Sequence, residues 1–378
     1  MLKSFLAFGL ISFSSFAWAE AEKSQAPAQD PSDLIEQASR YGLWNYDPKL
    51  PDTIQDPLAA VKAVCDLLQK GGVYQAYFDY KSRIDSRCQK PTQLLRGLGP
   101  SVSQDEFASI VLIKRLFQGV EDGHLRALTN NHEYFLNTKP KMNEDLGTFF
   151  DKNLGLDRWR EVKVSTLKDF DKVMEETMEP GKLMVLDFRN NGGGTSEEEQ
   201  TFIRTMEGYL GKRLSSCKIP RFQSIQNLNW LVANAEGDKA AFEAELNDLL
   251  ERNISLPGPT VRTDLWGSLY ETEDGEEEME ALQILEEKRI RGRIYGVIDA
   301  SCASSCELAI LYLKALHGKQ FVTIGQPTHG ALRYGDPVYY LIPGTRVILY
   351  LANSILDVKD FPELRGIKPD IVLHSTTK

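Results

Sequence analysis

From about residue 180 the chain lays down four apolar runs of strand length. They are Leu183 to Phe188, Ile294 to Ile298, Phe321 to Ile324 and Val347 to Leu351. Runs this short, bounded by turn residues, read as strands rather than helices. Between the second and third, Leu308, Leu311, Tyr312 and Ala315 recur at helical spacing, and His317-Gly318 closes that segment. Strands alternating with helices leave few solutions, and the expected class is a layered α/β core.

The first part of the chain has a different period. Val61, Val64, Cys65 and Leu68 stand at i, i+3, i+4, i+7 before Gly71-Gly72, and Val73, Ala76, Tyr77 and Tyr80 repeat the spacing. Ser103-x-x-Glu106 is a capping box opening a further helix, with Phe107, Ile110, Ile113 and Phe117 as its buried stripe. Residues 33–120 are therefore expected to form a helical N-terminal domain and 121–378 the α/β core. The core carries an insertion at about 212–293. It starts with polar, loop-like sequence, has a helical segment near 238–252, and holds an acidic run from Glu271 to Glu280.

Ahead of all this, Lys3, the apolar run Phe5 to Phe16 and Ala17-Trp18-Ala19 have the layout of a secretory signal peptide, 1–19, followed by a flexible polar leader, 20–32. The protein is expected to be exported, periplasmic or secreted. No stretch reaches the ~20 apolar residues of a membrane span. A formal charge of −10 argues against nucleic acid as a partner.

In an oxidising compartment, Cys65, Cys88, Cys217, Cys302 and Cys306 allow one or two disulfides and one leftover thiol. A Cys65–Cys88 bridge and a core thiol at Cys65 both fit. Cys302 and Cys306 can pair with each other only where the turn between them is not helical; pairing with Cys217 is the alternative. No CxxC or HExxH occurs, so neither a metal nor a cofactor is expected.

Three separated segments have chemical potential. Asp187-Phe-Arg-Asn-Asn-Gly-Gly-Gly194 follows a strand, and its glycines can aim bare amides at a developing oxyanion. Ser301-Cys-Ala-Ser-Ser-Cys-Glu307 links a strand to a helix, where Ser304 and Ser305 suit either catalysis or plain N-capping. Asp122-Gly-His124 presents a histidine at a helix exit, and His329 in Gln326-Pro-Thr-His-Gly330 competes with it as a base.

In their order these segments resemble the tail-specific, or C-terminal processing, peptidases. Asp187 to Gly194 is similar to that family's D-x-R-x-N-x-G-G element, and Cys302 to Glu307 to its S-A-S-A-S-E nucleophile motif. Gly325 to Gly330 is similar to G-E-x-T-x-G, and Gly366-Ile-Lys-Pro-Asp370 to the closing G-I-x-P-D. The resemblance covers roughly residues 105–373. It implies a ClpP/crotonase-like core, a polypeptide substrate and Ser304 as nucleophile. Ala331 stands where the serine–lysine branch has its lysine, so the tricorn-like branch is implied, with His124 as base and Glu363 as its support. An oxyanion hole from Ser305 and Gly193 follows from the same resemblance. Two departures stand out. Gly123 replaces the serine that often precedes the histidine, and the 56 residues between His124 and Gly181 are too few for a PDZ module. A family relative without turnover, binding peptide or protein partners, is the alternative function. The oligomeric state is not legible.

Overall fold

The computed structural model describes most of residues 47–70 and 80–135, most of 158–212, the strands at 219–224 and 260–265, and most of 289–373, with isolated positions between. The expected signal peptide and leader, the repeat at 73–77, the acidic run 271–280, Cys217 and nearly all of the helix near 238–252 lie outside the described residues.

Strand β1 (Thr53–Ile54) leads into helices α1 (Pro57–Lys70), α2 (Lys81–Cys88) and the short α3 (Pro91–Leu94), then β2 (Val102–Ser103), which pairs antiparallel with β1. Val61, Val64, Cys65 and Leu68 are all buried, as the helical stripe predicts. A Cys65–Cys88 disulfide ties α1 to the end of α2. Ser103 then caps α4, which opens at Gln104–Glu106 and continues as a π-helix over Phe107–Leu116. Phe107, Ile113 and Phe117 of the expected stripe are buried, and the wider i→i+5 winding adds Val111, Leu112 and Leu116 to them. Ile110, expected on that stripe from an α period, is only partly covered.

Next come β3 (Arg126–Leu128), β4 (Glu133–Phe135), β5 (Trp159–Lys163), α5 (Phe170–Thr177), β6 (Leu183–Asp187), α6 (Ser196–Leu210), β7 (Ile219–Ser224) and β8 (Thr260–Leu265). The chain continues through β9 (Ile294–Ile298), α7 (Ser305–His317), β10 (Phe321–Gly325), β11 (Tyr334–Gly335), β12 (Val338–Leu341), β13 (Ile348–Leu351), β14 (Ser354–Leu356) and β15 (Ile371–Val372). The central sheet runs β15-β10-β9-β6-β5 with every pair parallel. The protein is therefore of mixed α/β class, as the alternation of runs predicted.

Both faces of this sheet are covered, which explains why its strands read as unbroken apolar runs. Met184, Leu186, Ile294 and Ile298 share a core with Phe170, Phe202, Met206 and Leu313 of the flanking helices. Val185, Tyr295, Val297 and Ile324 pack on the opposite face with Phe150.

The N-terminal helices do not stand apart from the strands that follow. Phe107, Leu112 and Phe117 share one core with Leu125, Ala127, Val347, Leu349 and Leu351 of an antiparallel sheet ordered β12-β13-β3-β4. The second antiparallel sheet, β11-β14-β7-β8, includes both described strands of the 212–293 segment. Sequence from 212 onward was expected to be loop-like; it pairs because β14 supplies an edge.

Candidate active site

Adjacent parallel strands deliver the first two segments to one place. Asp187 of β6 is in register with Val297 of β9, so the loops leaving both strands emerge side by side. This is the C-terminal edge of a parallel sheet, where open α/β folds commonly place their sites.

The loop after β6 is stiff. Arg189 makes a two-pronged ion pair with Asp187, Nε to Oδ1 at 2.9 Å and Nη2 to Oδ2 at 2.7 Å. Asn191 is fully buried and donates through Nδ2 to the Val164 carbonyl at 2.7 Å. Its own carbonyl accepts from Ala303 N–H at 3.2 Å, which laces the glycine loop to the loop after β9. Gly193, at φ 102°, lies so close that a Cβ there would stand 2.9 Å from Ser304 Cβ and 3.2 Å from the Ser305 nitrogen. Only glycine fits. The Gly193 N–H, however, donates to Asn191 Oδ1 at 2.9 Å. An oxyanion bound here would meet the Ser305 amide first, at the start of α7, where helix N–H groups have no intrahelical acceptor.

The loop after β9 turns on Asp299, which is buried and whose Oδ1 accepts from both the amide and the hydroxyl of Ser301. Ser304 then adopts φ 56°, ψ −125°. Residues other than glycine rarely occupy this region, and holding one there costs about 1–3 kcal/mol. Ser304 occupies the N-cap position of α7 with a glutamate at N3. Its side chain makes no cap bond, and the Glu307 N–H goes instead to the Ser304 carbonyl at 2.8 Å. Cys302 and Cys306, both fully buried, form a disulfide across this turn. The positive φ between them is the non-helical geometry that the pairing requires.

Glu307 escaped notice in the sequence except as the end of a motif. It is fully buried and accepts from Ser304 N–H at 3.2 Å, Thr328 Oγ1 at 2.5 Å, Gly330 N–H at 2.8 Å and Ala331 N–H at 2.7 Å. Burial raises its pKa while these four donors oppose the shift. The carboxylate thus joins the serine turn to the 328–331 loop.

That loop carries His329, whose N–H donates to the Cys302 carbonyl at 2.9 Å. Its Nε2 lies 3.2 Å from the Gly123 carbonyl. A carbonyl only accepts, so Nε2 carries a proton.

His124 arrives from the other side. Its amide donates to Asp122 Oδ1 at 2.7 Å, and its Nδ1 is 3.8 Å from the same oxygen. The side chain is 10 % exposed, and among the described residues neither ring nitrogen has a hydrogen-bond partner. The nearby Tyr334 backbone favours the charged imidazole. Burial, with Arg126 and His329 nearby, holds the imidazole neutral with a pKa of about 3. No hydrogen bond joins Ser304 Oγ to His124.

Glu363 does not contact either imidazole by hydrogen bonding. Its Oε1 accepts from Gly123 N–H at 3.0 Å, and its Oε2 from Leu332 and Arg333 N–H at 3.2 and 3.0 Å. Burial and neighbouring Asp122 push its pKa up to about 8. Gly123 has no room for a relay side chain, because a Cβ there would stand 2.5 Å from Ala331 Cβ. Ser304, Ser305 and Gly193 therefore lie against one another, and His329 joins them through its backbone bond to Cys302. His124 and Glu363 join them through the backbone of Gly123 and the 330–333 loop.

No family model matches the sequence, and no curated protein matches it. Solved structures do resemble it in shape. A candidate peptidase from Parabacteroides merdae is 15% identical with a TM-score of 0.47, covering 85% of this chain and 91% of that one. A lipoprotein from Streptococcus agalactiae is 13% identical with a TM-score of 0.39, covering 84% and 92%. The photosystem II D1 C-terminal processing protease is 14% identical with a TM-score of 0.28, covering 56% and 38%. Two of the three bear peptidase names. At TM-scores below 0.5 these are likenesses only.

Proposed function

We propose that this chain is an exported serine peptidase of the tail-specific type. It cleaves peptide bonds of periplasmic polypeptides near their C-termini through an acyl-enzyme on Ser304. The observation that carries this reading is the backbone of Ser304. A serine at a helix start with glutamate at N3 would ordinarily spend its hydroxyl on a cap. Here it is held at φ 56° against Gly193, with its side chain uncapped.

In this mechanism Ser304 Oγ attacks the scissile carbonyl as His124 takes its proton. The Ser305 amide and the glycine loop receive the oxyanion. The tetrahedral species then collapses, and His124 returns the proton to the departing amine. Water repeats the sequence in reverse to free the acid. His124 suits the role of acceptor in being neutral. A buried imidazole with two unpartnered nitrogens is otherwise an unfavourable arrangement, which a reacting group would relieve. The transfer requires a Ser304–His124 hydrogen bond to form, since none joins the two here. Glu363 acts as a positioning residue, fixing Gly123 by its amide rather than orienting the ring directly.

Two observations favour specific second readings. His329 is already bonded to the nucleophile turn, which suits it as the base. His124 makes no bond to Ser304, which suits a peptide-binding module without turnover. Labelling by a fluorophosphonate separates all three. The expected result is labelling abolished in Ser304→Ala and His124→Ala and retained in Ser305→Ala, with turnover in Ser304→Ala down by about three to six orders of magnitude. Loss in His329→Ala with retention in His124→Ala transfers the base role. No labelling of folded wild-type protein sinks the peptidase reading.

A further inference from the structure

We infer that the Cys302–Cys306 disulfide is the positioning device for the nucleophile, and that its reduction switches Ser304 from an attacking group to a helix cap. The inference rests on the reading of Ser304 as nucleophile.

The bridge joins the residue two before Ser304 to the residue two after it. Cys302 belongs to the turn on Asp299, since its N–H donates to the Asp299 carbonyl at 3.1 Å. Cys306 belongs to the first turn of α7. Closing the chain between them leaves Ser304 to take up the whole change of direction, and φ 56° is where it does so. Both cysteines are fully buried in the core beneath the site.

The same bridge reaches a second site residue. The Cys302 carbonyl is the acceptor for His329 N–H at 2.9 Å, so moving Cys302 moves that imidazole too.

Without the bridge a lower-energy alternative lies close at hand. Glu307 stands at N3, and the Ser304 N–H already donates to it, which is half of a capping box. Rotation of Ser304 to a negative φ would let Oγ accept from the Glu307 N–H and relieve the backbone strain of the positive φ. The hydroxyl would then be tied to the helix and turned from the glycine loop. The switch is a two-electron exchange. A dithiol gives up two protons and two electrons and closes to its own disulfide, while the Cys302–Cys306 bond opens to two thiols. Burial makes that exchange slow, and the solvent-side dithiol must wait for local opening of the turn.

The test uses the intact wild-type chain with and without dithiothreitol, with the reduced cysteines assigned by alkylation and mass spectrometry. Two readouts are taken. Reduction of Cys302 and Cys306 is expected to slow fluorophosphonate labelling about 100-fold, the scale of a misplaced reacting atom. It is expected to lower kcat with KM little changed, and reoxidation restores both. Amide exchange of residues 304–307 needs no activity, and it is expected to change on reduction. A Cys302→Ala/Cys306→Ala variant should match the reduced form whether or not dithiol is present, and the wild-type arms stand even where that variant fails to fold. Labelling and exchange both unchanged after verified reduction overturn the inference. Exchange that changes in a protein that never labels supports the positioning role and counts against the peptidase reading instead.

Discussion

The protein uses the same four-residue pattern at three helix starts, and at two of them it does what the pattern ordinarily does. Ser103 sits at φ −63°, its hydroxyl accepts from the Glu106 amide at 3.1 Å, and Glu106 reaches back to the Ser103 amide at 3.2 Å. Thr195 and Glu198 form the same box at the head of α6. Ser304 and Glu307 have the same spacing, yet the serine lies at φ 56° and the Glu307 N–H bonds the Ser304 carbonyl at 2.8 Å instead of the hydroxyl. Besides the disulfide that spans Ser304, the difference lies in what surrounds the glutamates. Glu106 is exposed and has only its own serine to bind; Glu307 is buried and claimed by Thr328, Gly330 and Ala331. A capping motif becomes a presented hydroxyl when tertiary contacts take over its parts.

The hardest blow to that difference is a methyl group at Gly193. Its Cβ would stand 2.9 Å from both the Ala303 oxygen and Ser304 Cβ, at a φ that disfavours alanine. Gly193→Ala is expected to cut fluorophosphonate labelling about 100-fold or more, the worth of a displaced oxyanion donor. Unchanged labelling would mean that the glycine loop does not serve the serine.

Glu307→Gln tests the buried half of the contrast. An amide NH2 must then face one of the backbone N–H groups that the carboxylate now receives. The expected loss is about 2–4 kcal/mol in urea unfolding. The matching Glu106→Gln, at an exposed box that a glutamine can complete, should be near neutral.

The pH dependence of stability sharpens the same point. Glu363 keeps its proton in the fold up to about 8, against 4.5 for a free side chain. Between those values the unfolded chain has lost a proton that the folded one retains, so stability falls as pH rises, then levels above about 8. Glu307, also shifted upward by burial, adds to the same slope. Thermal unfolding from pH 5 to 9 should show the decline, and Glu363→Gln should flatten part of it.

Ser103→Ala carries the smallest effect. It removes a working cap and should cost about 1 kcal/mol of stability while leaving labelling unchanged.

Features set by neighbours in sequence were legible from sequence. The four strand runs, the stripe of α1, the box at Ser103 and the helix closed by His317-Gly318 all depend on short-range periodicity or capping. Those that depend on distant partners were not. Strand β7 pairs with β14 from over a hundred residues away, and β8 pairs with β7 in turn. The π winding shifts Ile110 off the buried stripe. The site splits the same way. Its segments could be found, but the torsion of Ser304, the four-way grip of Glu307 and the engagement of Gly193 by Asn191 are products of packing. Glu363 was expected to support the imidazole; it holds the backbone of Gly123, since Ala331 fills the space a relay would need.

The flanks of His124, Val120 and Leu125, are rooted in the core shared with the N-terminal helices, whereas Cys302 and Cys306 are rooted in the core beneath the parallel sheet. His124 and Ser304 thus ride on separate hydrophobic clusters, with residues 330–333 and two carboxylates as the stitching between them. Any shift of one cluster against the other would change the gap between these two side chains while neither interior is opened. A ligand gripping both clusters at once would set that gap by the act of binding.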